Sequence, residues 1–215
     1  MKIAVIGATG FVGSKIIQEL VDRDFKVIGI CRSANSSSHT NLEYIKVDVN
    51  DVALLTEKLM GVDVVVSAFN AGWQNQNIYD DFIKGAKSIQ QAVKDAKVNR
   101  FIVIGGAGSL YVDKDVQAVD TPDFPKAIYG GASAARDYLN ILKEEKELDW
   151  AFFSPAFEMH PGINIGRTGK YRLGKDEPIF DEKGHSVLSV EDVAVVIADE
   201  IEKPKHHRMR FTAAY

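Results

Sequence analysis

An apolar strand that runs straight into a glycine-spaced turn at the mouth of a helix leaves few folds open, and this chain begins with one. Lys2-Ile3-Ala4-Val5-Ile6 is followed directly by Gly7-Ala8-Thr9-Gly10-Phe11-Val12-Gly13. Gly7 permits a tight turn, Gly10 lacks a Cβ so that backbone N–H groups can approach a pyrophosphate, and Gly13 lets the helix lie close on the strand. The unpaired N–H groups and positive dipole end of that helix point to the same place, where an anion gains most. The pattern reads as a phosphate cradle for a dinucleotide, with Gly7, Thr9, Gly10, Phe11, Val12 and Gly13 as its binding residues.

A glycine pattern alone is weak, and its neighbours carry the weight. Phe11, Val12, Ile16, Ile17, Leu20 and Val21 recur at helical spacing, and Lys26-Val27-Ile28-Gly29-Ile30-Cys31 supplies the second strand of a βαβ unit. With 215 residues, 46% of them hydrophobic, the whole of 1–215 reads as one domain. A formal net charge of -4 argues against nucleic acid or an anionic membrane as the main partner and leaves a small-molecule substrate. No apolar run approaches the length of a membrane span, so a cytoplasmic location is expected. Monomer and homodimer both stay open. Cys31 is the single cysteine and excludes an intrachain disulfide. No cluster has metal-ligand spacing, and His206-His207 among lysines and arginines reads as a solvated loop.

Further along, Ser33 to Thr40 is small and polar and reads as a loop beside the ligand, and Leu42–Val49 as a third strand. Asp51 to Met60 is a short helix, and Val62–Ala68 a fourth strand whose continuous apolar character suits a sheet buried on both faces. A long helix is expected from about Ile78 to Ala96, a fifth strand over Arg100–Ile104, and a flexible edge over Gly105–Ser109. The next helix spans roughly Ala132 to Glu145, and Trp150–Phe153 is the sixth strand. The last third is glycine-rich, with strand-like pieces near Tyr171 and Val187. A helix over Val190–Ile201 follows, with Ser189 as N-cap and Asp192 as its capping-box partner, and a closing strand starts at Met209.

At the end of the second strand, an acidic residue would take the ribose hydroxyls of NAD, whereas an arginine accommodates the extra phosphate of NADP. Arg32 stands there, Ser33 adds a hydroxyl, and no Asp or Glu lies between Lys26 and Leu42. NADP is therefore the expected cofactor, with NAD possible and a solvent-exposed loop arginine the plainer reading of Arg32. Because open parallel sheets bind ligands at the carboxyl ends of their strands, Asp48 and Val49 should border the adenine. Ser67, Ala68 and Phe69 should border the central riboses, and Ile104, Gly105 and Pro155 the nicotinamide.

These residues resemble the atypical short-chain dehydrogenase/reductase superfamily, whose members carry a glycine fingerprint of the form seen at Gly7 to Gly13. A narrower resemblance, to the bacterial NADH-flavin reductase-like group related to biliverdin reductase B, rests on several motifs. They are Gly105-Gly106-Ala107-Gly108-Ser109-Leu110, Ser154-Pro155-Ala156, Pro161-Gly162 with Arg167-Thr168-Gly169-Lys170-Tyr171-Arg172, Gly184-His185-Ser186 and Arg210-Phe211-Thr212. The resemblance implies an α/β Rossmann fold, a doubly wound, mostly parallel sheet with a small C-terminal substrate-side region mainly within 155–188. It also implies hydride transfer to free flavin or a similar conjugated acceptor. Ser109 is implied to face the substrate; a turn or helix-cap serine is the other reading. Carbonyl-reducing members pair a tyrosine with a lysine four residues on, which lowers the tyrosine's pKa. Here Tyr129 is the matching candidate for catalysis, but Ser133 stands where the lysine should be, leaving nothing to stabilise a phenolate. That departure weakens the alternative of a sugar epimerase or dehydratase. A non-catalytic NADP-binding redox sensor is a further alternative. His160 and His185 could polarise a substrate or hold loops.

Overall fold

In β1 (Lys2–Ile6) the side chains of Ile3 and Val5 point to one face of a sheet and those of Ala4 and Ile6 to the other, and all four are buried. A strand covered on both faces is apolar throughout, which accounts for its lack of polar alternation. The chain continues through α1 (Phe11–Asp22), β2 (Lys26–Cys31), β3 (Leu42–Lys46), α2 (Val52–Leu59), β4 (Val64–Ser67), α3 (Ile78–Asp95) and β5 (Arg100–Ile104). Then come β6 (Tyr111–Asp113), β7 (Val116–Gln117), α4 (Lys126–Lys143), β8 (Trp150–Ser154), β9 (Arg172–Gly174), α5 (Val190–Glu202) and β10 (Met209–Ala214). This computed structural model describes residues 1–33, 37 and 39–215; Ala34, Asn35, Ser36 and Ser38 of the serine-rich stretch lie outside the described residues.

Eight strands form one sheet in the order β3-β2-β1-β4-β5-β8-β10-β9, parallel except for β9, which runs antiparallel to β10. From β1 the chain builds outward through β2 and β3, then returns to the other side of β1 with β4. This reversal opens a crevice at the carboxyl ends of β1 and β4. On one face α1 and α5 bury Ile16, Leu20, Val193 and Ile197 against Val5, Ile102, Phe153 and Phe211. On the other, α2, α3 and α4 bury Leu55, Ile89, Val93 and Leu139 against Ile6, Val65, Phe101 and Phe152. The fold is Rossmann-like, with the α/β class and the mostly parallel sheet expected from the sequence. No helix among the described residues is long and apolar enough to cross a membrane.

Several local expectations are corrected. The third strand stops at Lys46, because Asp48 accepts from the Asn50 backbone (2.9 Å) and turns the chain. Phe11 opens α1 but is 40% exposed, so the buried face of that helix begins at Gly13. Helix α4 starts at Lys126, six residues early, and carries Gly130 and Gly131 in its interior. Those glycines are required by packing: a methyl group on Gly131 would lie 2.7 Å from the Trp73 ring. The hairpin of β6 and β7 was not expected at all.

At α5, Ser189 Oγ accepts from the Asp192 N–H (3.1 Å), as an N-cap should. The reciprocal half of a capping box is absent. The Asp192 carboxylate instead accepts from the N–H groups of Thr168 (2.9 Å) and Gly169 (2.8 Å) and from the Tyr215 hydroxyl (2.6 Å). Burial pushes its carboxyl up, but the Thr168 hydroxyl, Tyr215 and these N–H groups outweigh it and hold Asp192 below the usual carboxylate range. The loop around Arg167 is thereby fastened to α5, and the Arg167 guanidinium closes on buried Glu19 of α1 at 2.7 and 2.9 Å. His206 is not in a solvated loop. It is buried, with its ring stacked on Phe211 at 4.1 Å and its Nδ1 2.7 Å from Glu200. His207 is exposed and pairs with Asp149.

Candidate functional site

The glycine turn sits at the crevice. Gly7 has φ +81°, and a methyl group there would lie 2.4 Å from the carbonyl oxygen of Ala68, across the gap between β1 and β4. The N–H groups of Gly7 and Ala8 both reach the Ile30 carbonyl (3.0 and 3.2 Å), which ties the turn to β2. On Gly13, a methyl would lie 2.2 Å from the Gly7 carbonyl oxygen, so α1 can rest on the turn only without a side chain at that position. Gly10 N–H closes the turn onto Gly7 (3.0 Å).

The start of α1, like that of α4, carries no compensating cap or acid, unlike the starts of α2 and α5. The Asp51 side chain caps α2, while Ser189 caps α5, whose first turn holds Glu191 and Asp192. Helix α1 has neither a side-chain cap nor an acid in its first turn. Its first N–H groups, at Phe11 and Val12, therefore point from an uncompensated positive dipole end into the crevice. These features suit a pyrophosphate: the helix start has no acid in its first turn, and Gly10 adds no Cβ at its N-cap.

On the far side of β1, Arg32 and Ser33 follow β2, and both are exposed. The Ser33 carbonyl accepts from the Cys31 thiol (3.0 Å). Among the described residues no carboxylate lies within ion-pair distance of Arg32. Asp48 is held below the usual carboxylate range, first by the Asn50 backbone N–H and more weakly by the charges of Arg32 and Lys84. This end of the crevice is thus positive on balance, with Asp48 exposed and Val49 buried beside it.

The other strand ends are arranged as follows. Ser67 is buried at the end of β4, Ala68 is half-buried, and the Phe69 ring turns inward to stack on Phe82 at 5.9 Å. Phe69 therefore offers the crevice its backbone. Ile104 ends β5, and Gly105 follows because a methyl there would lie 2.0 Å from the Phe152 ring. Pro155 is buried directly after β8.

The Gly105–Ser109 segment, expected as a flexible edge, is pinned. Ala107–Ser109 form a single 3-10 turn in which Ser109 is fully buried. Its hydroxyl donates to the Gly106 carbonyl (2.9 Å) and lies 2.9 Å from Ser154 Oγ. This is the arrangement of a turn serine, and the hydroxyl is directed into the protein. The Ser109 carbonyl accepts from Gln117 Nε2 (2.7 Å) and from Arg210. Arg210, on β10, also binds Asp176 (Nε, 2.9 Å) and lies over the Tyr111 ring at 5.1 Å. In the sequence Arg210 belongs to the Arg210-Phe211-Thr212 motif, and an arginine inside a largely apolar closing strand is the signal that it holds something buried.

Tyr129 lies in the first turn of α4 and is 48% exposed, with its ring edge-on to Phe124 at 6.4 Å. Ser133, where a lysine would be needed, donates its hydroxyl to the Tyr129 carbonyl (2.7 Å), bonding back into its own helix. The serine thus supplies no cation and is turned away from the phenol. His160 Nδ1 accepts from the Gly162 N–H (3.1 Å), and His185 pairs with Glu158 (2.9 Å), which raises the pKa of His185. Both histidines hold loops. Among the described residues no group of three or more His, Cys, Asp or Glu could hold a metal ion.

The profile of the family described as NAD(P)H-binding matches residues 7–204 of this chain. An uncharacterised Bacillus subtilis protein, YwnB, is 36% identical over 99% of this chain and 97% of its own length. A Bacteroides thetaiotaomicron structure described as a candidate epimerase is 45% identical, covers all of this chain and 96% of the other, and superposes with a TM-score of 0.91. A candidate NADH-flavin reductase from Streptococcus pneumoniae is 36% identical, with coverage of 100% and 99% and a TM-score of 0.88.

Proposed function

Because the chain belongs to the NAD(P)H-binding family, we propose that it is an NADPH-dependent reductase that passes a hydride to free flavin or a similar planar, conjugated acceptor. One observation carries this reading: an unopposed phosphate cradle stands beside a helix in which Tyr129 is partnered by an inward-turned serine rather than a cation. Chemistry that needs a stabilised phenolate, as in epimerases that oxidise an alcohol reversibly, is disfavoured by that serine. Reduction of a stacked aromatic acceptor makes no such demand, since the acceptor can draw its proton from solvent. The name of the Streptococcus relative supports the same reading, whereas that of the Bacteroides relative supports the epimerase alternative.

When bound, the reduced nicotinamide supplies the hydride. The chain's own residues position and shield it. Phe11 and Val12 N–H groups hold the pyrophosphate, with Thr9 at the turn, and Arg32 and Ser33 take the ribose phosphate. Asp48 and Val49 border the adenine, while Ser67, Ala68 and Phe69 border the riboses. Ile104, Gly105 and Pro155 form the floor under the reacting ring. Ser109 acts as a positioning residue that fixes this floor through Ser154. The substrate side is formed mainly within residues 155–188, and the protein acts on its small-molecule substrate in the cytoplasm.

Absorbance of the nicotinamide at fixed NADPH, with and without FMN, tests the proposal. FMN-dependent oxidation is expected; tight NADPH binding with no oxidation by FMN would favour a redox sensor and sink the reductase. Arg32→Asp is expected to shift preference from NADPH toward NADH by roughly tenfold to a hundredfold, the worth of one charge-assisted hydrogen bond. Equal affinity of the unmodified protein for both cofactors refutes the assignment of Arg32. Tyr129→Phe should change flavin turnover by less than about threefold, far below the 10²–10⁴ of a working general acid. A loss of several orders of magnitude in kcat would restore Tyr129 to a catalytic role.

A further inference from the structure

Beyond the end of β4 the chain makes a tight turn. Asn70 Oδ1 accepts from the Gly72 N–H (2.7 Å), Gly72 takes φ +103°, and its carbonyl accepts from the Asn75 N–H (3.0 Å). The turn lays Trp73 against the start of α4. There the indole meets Gly131 so closely that a methyl group would fall 2.7 Å from its ring, and Gly130 meets Ile78 in the same way at 3.0 Å. Glycine is the poorest helix former after proline, and the seat for this ring accounts for the glycine at position 131, as the close approach of Ile78 does for the one at 130. A second tie, from the Tyr79 hydroxyl to Asp137 (2.7 Å), holds α3 and α4 together beside it.

Yet the seat covers only part of the ring, since Trp73 is 60% exposed. Helix α4 runs back from the carboxyl ends of the strands, so its first two turns, with Tyr129, Gly130 and Gly131, lie at the same end of the sheet as the crevice. Trp73 follows Ser67 and Phe69, which border that crevice, by only a few residues. A rigidly seated, half-open indole at this position offers a large π surface with little freedom left to lose.

We propose that Trp73 is the platform on which the planar ring of the acceptor stacks, and that it sets selectivity for flat conjugated substrates. This rests on the reductase reading for its substrate class, but binding can be measured without turnover. FMN emission is followed as protein is added in the absence of NADPH, and steady-state constants are measured separately. Quenching of FMN by the unmodified protein is expected. Trp73→Ala should weaken FMN binding and raise its KM by roughly tenfold to a hundredfold, the range found for ring stacking. The KM for NADPH should stay the same, kcat should move by less than about threefold, and Trp73→Phe should restore most of the loss. Gly131→Ala, which displaces the ring from below while favouring the helix, should raise the FMN KM in the same direction. If Trp73→Ala leaves FMN affinity and KM unchanged while turnover persists, the platform falls and the reductase stands. If FMN is quenched in a Trp73-dependent manner without turnover, the platform stands and the reductase falls. No FMN binding by the unmodified protein overturns the platform.

Discussion

Gly13→Ala is expected to lower stability by about 3 kcal/mol, the upper range for an overpacked core, and to weaken NADPH binding at least roughly a hundredfold. The added methyl would lie 2.2 Å from the Gly7 carbonyl oxygen and 2.9 Å from its carbon. These are backbone atoms of the glycine turn, so no side chain can swing aside. Either α1 lifts from β1 or the turn moves, and Gly7 cannot move far because its N–H is held by Ile30 and its Cα faces the Ala68 carbonyl. Lifting α1 also opens its packing on α5 and pulls the N–H groups of Phe11 and Val12 off the phosphates. Denaturant midpoints and NADPH fluorescence titrations of the same preparation measure the two losses. A variant that keeps its stability and loses affinity less than about threefold would show that the turn is not the cradle.

Glu200→Ala should be comparably severe for stability, about 3–5 kcal/mol, while leaving the cofactor crevice intact. Glu200 is buried on α5 and accepts from Arg100 Nη2 (2.8 Å), His206 Nδ1 (2.7 Å) and the N–H groups of Lys205 and His206 (3.0 Å each). Its removal strands the guanidinium of Arg100, itself buried on β5, with only Asp149 and the His206 carbonyl as partners. On a typical domain stability of about 5–15 kcal/mol this is a large fraction, equivalent to a Tm lower by roughly 10 °C for a chain of this size. Replacing both Glu200 and Arg100 by uncharged residues should recover part of the loss, because the unpaired charge is what costs most.

The same carboxylate gives acid sensitivity with a definite sign. Burial raises the Glu200 carboxyl, but the His206 ring and the N–H groups of His206 and Lys205 outweigh it, so its folded pKa lies below the unfolded one. Its contribution to stability is complete above the ordinary carboxylate range and is lost as pH falls through the depressed folded value. The Glu200→Ala protein should therefore lose less stability on acidification than the unmodified chain, as urea midpoints at neutral and acidic pH would reveal. An unchanged pH dependence would remove Glu200 from this role.

The parts legible in the sequence were those whose reasons are local. The turn at Gly7 to Gly13 is set by its own backbone and by one strand on each side, and the continuous apolar runs of β1 and β2 and the helical spacing of α1 make them legible. The start of α4 is not legible locally, because Gly130 and Gly131 are poor helix formers whose places there depend on Ile78 and Trp73, both more than fifty residues earlier. His206 looked solvated among charges; its burial depends on Phe211 and on Glu200, neither of which periodicity links to it. Asp192 sat at the right spacing for a capping box, but a loop from residues 168 and 169 supplied better donors. Around the candidate site, the strand ends followed from topology, while the inward turn of Ser109 depends on Ser154 and Arg210.

That arginine separates the site into halves whose contacts span very different lengths of chain. The three glycines and the β2 carbonyl that anchors them all lie within the first 31 residues, so their closure encloses a short loop of chain. Gly106 and Gln117 hold the Ser109 turn locally, but Arg210 reaches its carbonyl across 101 residues, a contact that forms only when the last strand docks. The phosphate half closes over a short stretch of chain, whereas the substrate half includes a contact that closes over nearly half of it.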